Sequence, residues 1–124
     1  MLQNDFYTIN NIQQTENAFV IALSLNAAHA IFEGHFPQQP VVPGACMLQM
    51  VKEITAEVSG KSLRLIKADN LKFLMQINPN DNNDLQLQLS YTVVDDNKLK
   101  VAATLYNGGN VCFKFGGSWE VGEL

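Results

Sequence analysis

Pro43-Gly-Ala-Cys-Met-Leu-Gln-Met-Val-Lys-Glu-Ile-Thr-Ala-Glu-Val58 is the one densely helical run in this chain. Pro43 suits a first helical turn, where its missing N–H costs nothing, and Gly60 just beyond is a natural stop. Met47, Val51, Ile54 and Val58 recur on one stripe, with Met50 beside them. Gln49, Lys52, Glu53 and Ala56 take the opposite side, where Glu53 is expected to be an exposed helix carboxylate. The spacing predicts one helix over 43–59 with an apolar stripe to bury.

Strands surround it. Phe19, Ile21, Leu23 and Leu25 alternate with smaller residues, and Leu85-Gln-Leu-Gln-Leu-Ser-Tyr91 keeps a strict period of two. Leu63–Ile77 holds two alternating runs, and the break around Lys67–Asn70 predicts a bulge or bend. Leu99–Tyr106 and Val111–Trp119 flank Asn107-Gly-Gly-Asn110, a strong hairpin turn, and Asp95–Lys98 is the turn before them. The expected order is strand, loop, one helix, then an antiparallel meander of three or four strands. One helix leaves sheet edges open, which predicts at least a dimer.

The chain has 124 residues, 47% of them apolar, and a net charge of −4. Folding can bury about two-thirds of its surface, enough for one domain over residues 1–124 and too little for two. The apolar fraction is too high for a disordered chain. No apolar run approaches a membrane span, and the first residues lack a basic and apolar secretory signal, so a soluble cytoplasmic protein is expected. Cys46 and Cys112 make neither a disulfide framework nor a zinc spacing. The acidic balance argues against nucleic acid, which needs clustered Lys and Arg. Lys61, Arg64, Lys67 and Lys72 do gather in twelve positions; ordinary solvated strand charges are the preferred reading, a patch for an acidic carrier protein or a phosphate the sharper one.

The chemistry lies in Phe32-Glu-Gly-His-Phe-Pro-Gln-Gln-Pro-Val-Val-Pro-Gly-Ala45, which feeds the helix. Pro37, Pro40 and Pro43 stiffen it around His35. Gly44 permits close approach of a ligand, and the first helical N–H groups have no internal partner. Free N–H groups at a positive dipole end suit a carbonyl oxygen gaining negative charge. A histidine near such a site is the minimal kit for removing a proton next to a thioester carbonyl. Glu33 reads as a solvated loop charge and His29 as a surface or loop histidine. Cys46, in the first helical turn, is open to a lowered pKa but is better read as packing.

Gly34-His-Phe-Pro37 followed by Pro40-Val-Val-Pro-Gly44 resembles the signature of the hot-dog-fold 3-hydroxyacyl-acyl-carrier-protein dehydratases. The resemblance extends weakly over the whole chain and implies an α+β hot-dog fold, an antiparallel sheet wrapped around one central helix. It further implies that two subunits join their sheets and that acyl chains enter at the interface. By the resemblance, His35 takes the α-proton, the Gly44 N–H polarises the thioester carbonyl, and Phe36, Pro43 and Ala45 contact the substrate. The family's acid, five residues after the glycine, maps onto Gln49, which hydrogen-bonds but cannot hand over a proton as a carboxylic acid does. Gln38 stands where the family usually has glycine. Glu53, one turn beyond Gln49, is a possible substitute acid.

The leading expectation is therefore a dehydratase-like enzyme of fatty-acid or related acyl-chain biosynthesis. It would turn a 3-hydroxyacyl thioester, on acyl-carrier protein or coenzyme A, into the trans-2-enoyl thioester. No cofactor is expected, since the thioester acidifies the α-carbon. The alternatives are an acyl thioesterase, or an acyl-binding subunit that lends His35 to a heterodimer whose other chain lends the carboxylate.

Overall fold

The computed structural model describes residues 1–16, 18–34 and 40–122. Two strands, β1 (Tyr7–Gln14) and β2 (Phe19–Leu25), precede a four-residue helix α1 (Ile31–Gly34) and the long helix α2 (Gly44–Ser59). Strands β3 (Leu63–Phe73), β4 (Asp84–Asp95), β5 (Lys98–Asn107) and β6 (Asn110–Val121) follow. The six strands form one sheet in the order β1-β2-β4-β5-β6-β3, antiparallel at every pairing. A six-stranded antiparallel sheet with one long helix against it is the hot-dog architecture.

Alternation decides which face is buried. Ile21, Leu23 and Leu25 of β2, Leu85, Leu87 and Leu89 of β4, Leu99 to Leu105 at odd positions of β5, and Phe113, Phe115 and Trp119 of β6 all turn inward. Against them α2 lays Met47, Met50, Val51 and Ile54, each at most 3% exposed. Each such side chain contributes about 1.5–3 kcal/mol on leaving water. The helix begins one residue later than expected: Pro43 is the N-cap, with φ −61° and ψ 144°, and Gly60 closes it at φ 70°. The Asn107–Asn110 hairpin turns through Gly108 and Gly109, both at positive φ, as a tight two-residue loop requires. Register shifts between Leu65 and Lys67 and between Ala68 and Asn70 place two irregularities where the strand pattern breaks.

Three expectations need correction. Strand β1, absent from the sequence reading, pairs with β2 from Tyr7 to Gln14. Its outer half is Asn, Ile and Gln exposed at an edge, so it carries no apolar alternation to read. The short α1 is a second helix where one was expected; the Ile31 N–H donates to His29 Nδ1, and Phe32 stacks on Phe6 at 5.3 Å. Finally, of the three or four strands expected in the meander, three follow in sequence order as β4-β5-β6, and β3 crosses to the far edge, beside β6.

Candidate active site

Gly44 is held from both sides. On the chain before it, Val42 is 4% exposed and donates its N–H to the Ile77 carbonyl at 2.9 Å. Beyond it, the Cys46 and Met47 N–H groups donate to the Pro43 carbonyl. Pro43 has no side-chain donor or acceptor to cap the helix, and the Gly44 and Ala45 N–H groups have no acceptor among the described residues. Those two donors stand at the positive end of a sixteen-residue helix. Phe73 lies across Gly44, and its ring stacks on Phe113 at 5.0 Å. An apolar groove of about 560 Å³ opens there, lined by Val41, Pro43, Gly44, Met47, Phe73 and Met75 among others. Pro43 is half-buried in that lining, whereas Ala45 is exposed.

His35 and Phe36 lie outside the described residues. The two stems of their loop are described. Phe32 is buried at one end and Pro40 at the other. His29 Nδ1 accepts the Ile31 N–H, so Nε2 carries the proton and donates to Asp5 Oδ2 at 3.0 Å. His29 is thus a half-buried loop histidine that holds the start of α1, and Glu33 is exposed.

Gln49 and Glu53 form the second cluster. Glu53 is 6% exposed, against the expectation of a solvated carboxylate. Its Oε2 accepts the Leu2 N–H and Gln49 Nε2, each at 2.9 Å; its Oε1 accepts the Gln3 N–H at 2.9 Å and the Tyr7 hydroxyl at 3.1 Å. The helical wheel placed Glu53 opposite the apolar stripe, and the N-terminal segment covers that face instead. Burial alone pushes the Glu53 carboxyl up, but the donors from Leu2, Gln49, Gln3 and Tyr7 outweigh it and hold the group below the usual carboxylate range. A carboxylate so held does not serve as a general acid near neutrality, which removes Glu53 as the substitute for a missing acid. Burial, and then the adjacent Glu53 carboxylate, push the Tyr7 phenol well above its ordinary value. Gln49 also lines a groove of about 660 Å³ with Lys52, Glu53, Ala56 and Leu63.

Cys46 is half-buried, and burial pushes its thiol up rather than down, so packing is its role. Of the four clustered cations, Arg64 pairs with Glu120, and Lys67 with Asp69 at 3.3 Å. Those two are ordinary solvated strand charges. No helix among the described residues is long and apolar enough to cross a membrane.

The chain is similar to the 3-hydroxyacyl-[acyl-carrier-protein] dehydratase FabZ of Geobacillus thermodenitrificans, 29% identical over 96 residues that make up 72% of this chain and 66% of that protein. The match to FabZ of Bacillus subtilis, also at 29%, covers 53% of this chain and 52% of that one. The chain thus spans two-thirds or less of the length of these curated relatives. Among solved structures, a chain of the dehydratase heterocomplex ApeI:P from Xenorhabdus doucetiae superposes with a TM-score of 0.71 at 19% identity, over 90% of this chain and 96% of that one. A hypothetical thioesterase from Streptococcus pneumoniae, solved with coenzyme A, superposes at 0.66 with 12% identity, over 94% and 85%. At these identities the two structures attest the fold. A family model described as ApeI dehydratase matches residues 11–111, and the chain belongs to this ApeI-like family.

Proposed function

We propose that this chain is a dehydratase-like enzyme of acyl-chain biosynthesis, eliminating water from a 3-hydroxyacyl thioester to give the trans-2-enoyl thioester. The observation that carries the reading is the start of α2. There the Gly44 and Ala45 N–H groups lack an acceptor among the described residues, and Gly44 lines an apolar groove. In the proposed chemistry the thioester oxygen takes the Gly44 N–H and His35 removes the α-proton; the C2=C3 bond forms as the C3–O bond breaks, and the hydroxide leaves as water with a proton returned by His35 or given by a partner chain, while the acyl chain lies along the groove past Pro43. Phe36 and Ala45 flank the thioester. No cofactor enters the scheme, because the polarised thioester acidifies its own α-carbon. The substrate arrives on acyl-carrier protein or coenzyme A, and residues 1–124 act as one cytoplasmic domain.

The site is proposed to be shared between two subunits that pair along β3. Leu71 and Phe73 lie opposite Phe115 and Phe113 on β6, so they belong to the buried face of the sheet. They are nevertheless 42% and 53% exposed, as Leu74 and Met75 beyond them are about half exposed. An apolar edge of this kind calls for a covering chain. The other edge, β1, presents mainly Thr, Asn and Gln.

One observation favours a second version, in which this chain is half of a heterodimer. Position 49 holds an amide, and the nearby Glu53 is committed to four donors, so the proton for the departing hydroxide is to come from a partner chain. Purified protein assayed against 3-hydroxyacyl and saturated acyl thioesters separates the possibilities. Dehydration supports the homodimeric enzyme, thiol release from both substrates supports a thioesterase, and activity only with a second subunit supports the heterodimer.

A further inference from the structure

We propose that Glu53 is a positioning residue for Gln49: its buried carboxylate takes the Gln49 N–H and so turns the amide oxygen outward, as a hydrogen-bond acceptor for the substrate's 3-hydroxyl. The clamp rests on geometry alone, whereas the identity of the hydroxyl rests on the dehydratase reading.

A glutamine amide is ambiguous, since it donates through nitrogen and accepts through oxygen. An ionised carboxylate only accepts, so the atom facing Glu53 Oε2 at 2.9 Å must be Nε2. Glu53 cannot release it by turning away. Its other lone pairs take the Leu2 and Gln3 N–H groups and the Tyr7 hydroxyl, which fix the carboxylate between α2 and the N-terminal segment. Gln49 itself is only half-buried and borders the groove of about 660 Å³, which in one chain is separate from the groove beside Gly44, so the substrate it would meet is one seated on the partner subunit of the proposed shared site. With the nitrogen end directed to Glu53, the oxygen end is what position 49 offers to a ligand there. A hydroxyl finds an acceptor at that point; a hydrogen in its place leaves the amide oxygen unpaired. The N-terminal segment thus acts on substrate selection through the hydrogen bonds by which Leu2, Gln3 and Tyr7 fix Glu53.

The first test reads the clamp without activity. In the unmodified protein, the Gln49 side-chain amide signals in a nitrogen–proton NMR spectrum, assigned by their loss in Gln49→Leu, are expected to shift as Glu53 protonates on acidification. They are expected to return to the free-glutamine position in Glu53→Gln. A Gln49 amide insensitive to that titration overturns the clamp, and this measurement stands even if Glu53→Gln fails to fold. The second test reads the consequence by direct binding of a 3-hydroxyacyl pantetheine thioester and its saturated analogue of equal length. The parent is expected to prefer the hydroxylated ligand about three- to ten-fold, the range of a neutral hydrogen bond. Gln49→Leu and Glu53→Gln should each abolish that preference, with the double variant no worse than either. Equal weakening of both ligands, with the preference kept, overturns the positioning role. An intact NMR signature in a protein that dehydrates nothing leaves the clamp in place and rejects the dehydratase reading instead.

Discussion

The ring of Phe73 covers Gly44 so closely that a Cβ on Gly44 would lie 2.8 Å from both Cε1 and Cζ of that ring. Only glycine leaves the aromatic ring, stacked on Phe113, its place over the helix start. The contact ties the first N–H of α2 to the end of β3, where Leu71 and Phe73 are exposed.

Gly44→Ala should therefore displace the Phe73 ring, at a cost to the fold of no more than about 1 kcal/mol, because the atoms met are the outer end of a half-exposed side chain that can turn aside. Thioester turnover should fall further than stability does, because the displaced ring disturbs the groove. Thermal melts of Gly44→Ala, Phe73→Ala and the double variant check the coupling. The double variant should cost less than the two single changes added together.

Glu53→Leu should cost about 2–4 kcal/mol, since four donors lose their shared acceptor and backbone N–H groups of Leu2 and Gln3 are left unpaired. The pH dependence has a definite sign. Folding lowers the Glu53 pKa, so its stabilisation is present above the unfolded value of about 4.3 and is lost as pH falls through the folded value. Folding raises the Tyr7 pKa, so that contribution is present below the unfolded value of about 10 and is lost as pH rises beyond it. Denaturant melts from pH 3 to 11 should show both losses in the parent and only the alkaline one in Glu53→Gln.

Gln49→Glu places a second carboxyl one turn from Glu53. Two carboxyls in contact hold one proton between them. Leu2, Gln3 and Tyr7 keep Glu53 ionised, so the shared proton rides on the introduced side chain, whose pKa rises. If the missing acid limits the reaction, dehydration should increase by as much as about 10²–10⁴ and decline as pH rises through that raised pKa. A folded variant no faster than the parent assigns the proton to His35 or to a partner chain.

Leu71→Lys should prevent pairing along β3, because it puts a charge among the exposed apolar residues at the end of that strand, Leu71 and Phe73. Light scattering at micromolar concentration should give a dimer for the parent, or for the parent with its partner subunit, and a monomer for the variant.

Helix α2, the Asn107–Asn110 hairpin and the irregularity near Lys67–Asn70 were all legible, because each rests on local signals: a repeat of apolar residues, a Gly-Gly turn, a break in alternation. Strand β1 was not, since an edge strand covered on few sides needs no apolar alternation. Nor was the burial of Glu53. The helical stripe marks its position as polar, and the fact that Leu2, Gln3 and Tyr7 come back to cover it is a contact across about fifty residues. The place of Gly44 at the start of α2 was legible from Pro43 just before it. Phe73 was missed as its cover; it lies 29 positions downstream, and only the β3–β6 pairing brings it there.

Dehydration that depends on His35 is the central claim, and one comparison tests it most directly. Parent protein and His35→Ala, each alone and with any copurifying hot-dog subunit, are given a 3-hydroxyacyl thioester, and the enoyl thioester formed is measured. Enoyl product is expected with the parent chain in at least one of those assemblies, with a loss of at least about a hundred-fold in His35→Ala and the fold retained. Enoyl product formed equally well by His35→Ala, or hydrolysis of the thioester in place of elimination, would contradict the claim.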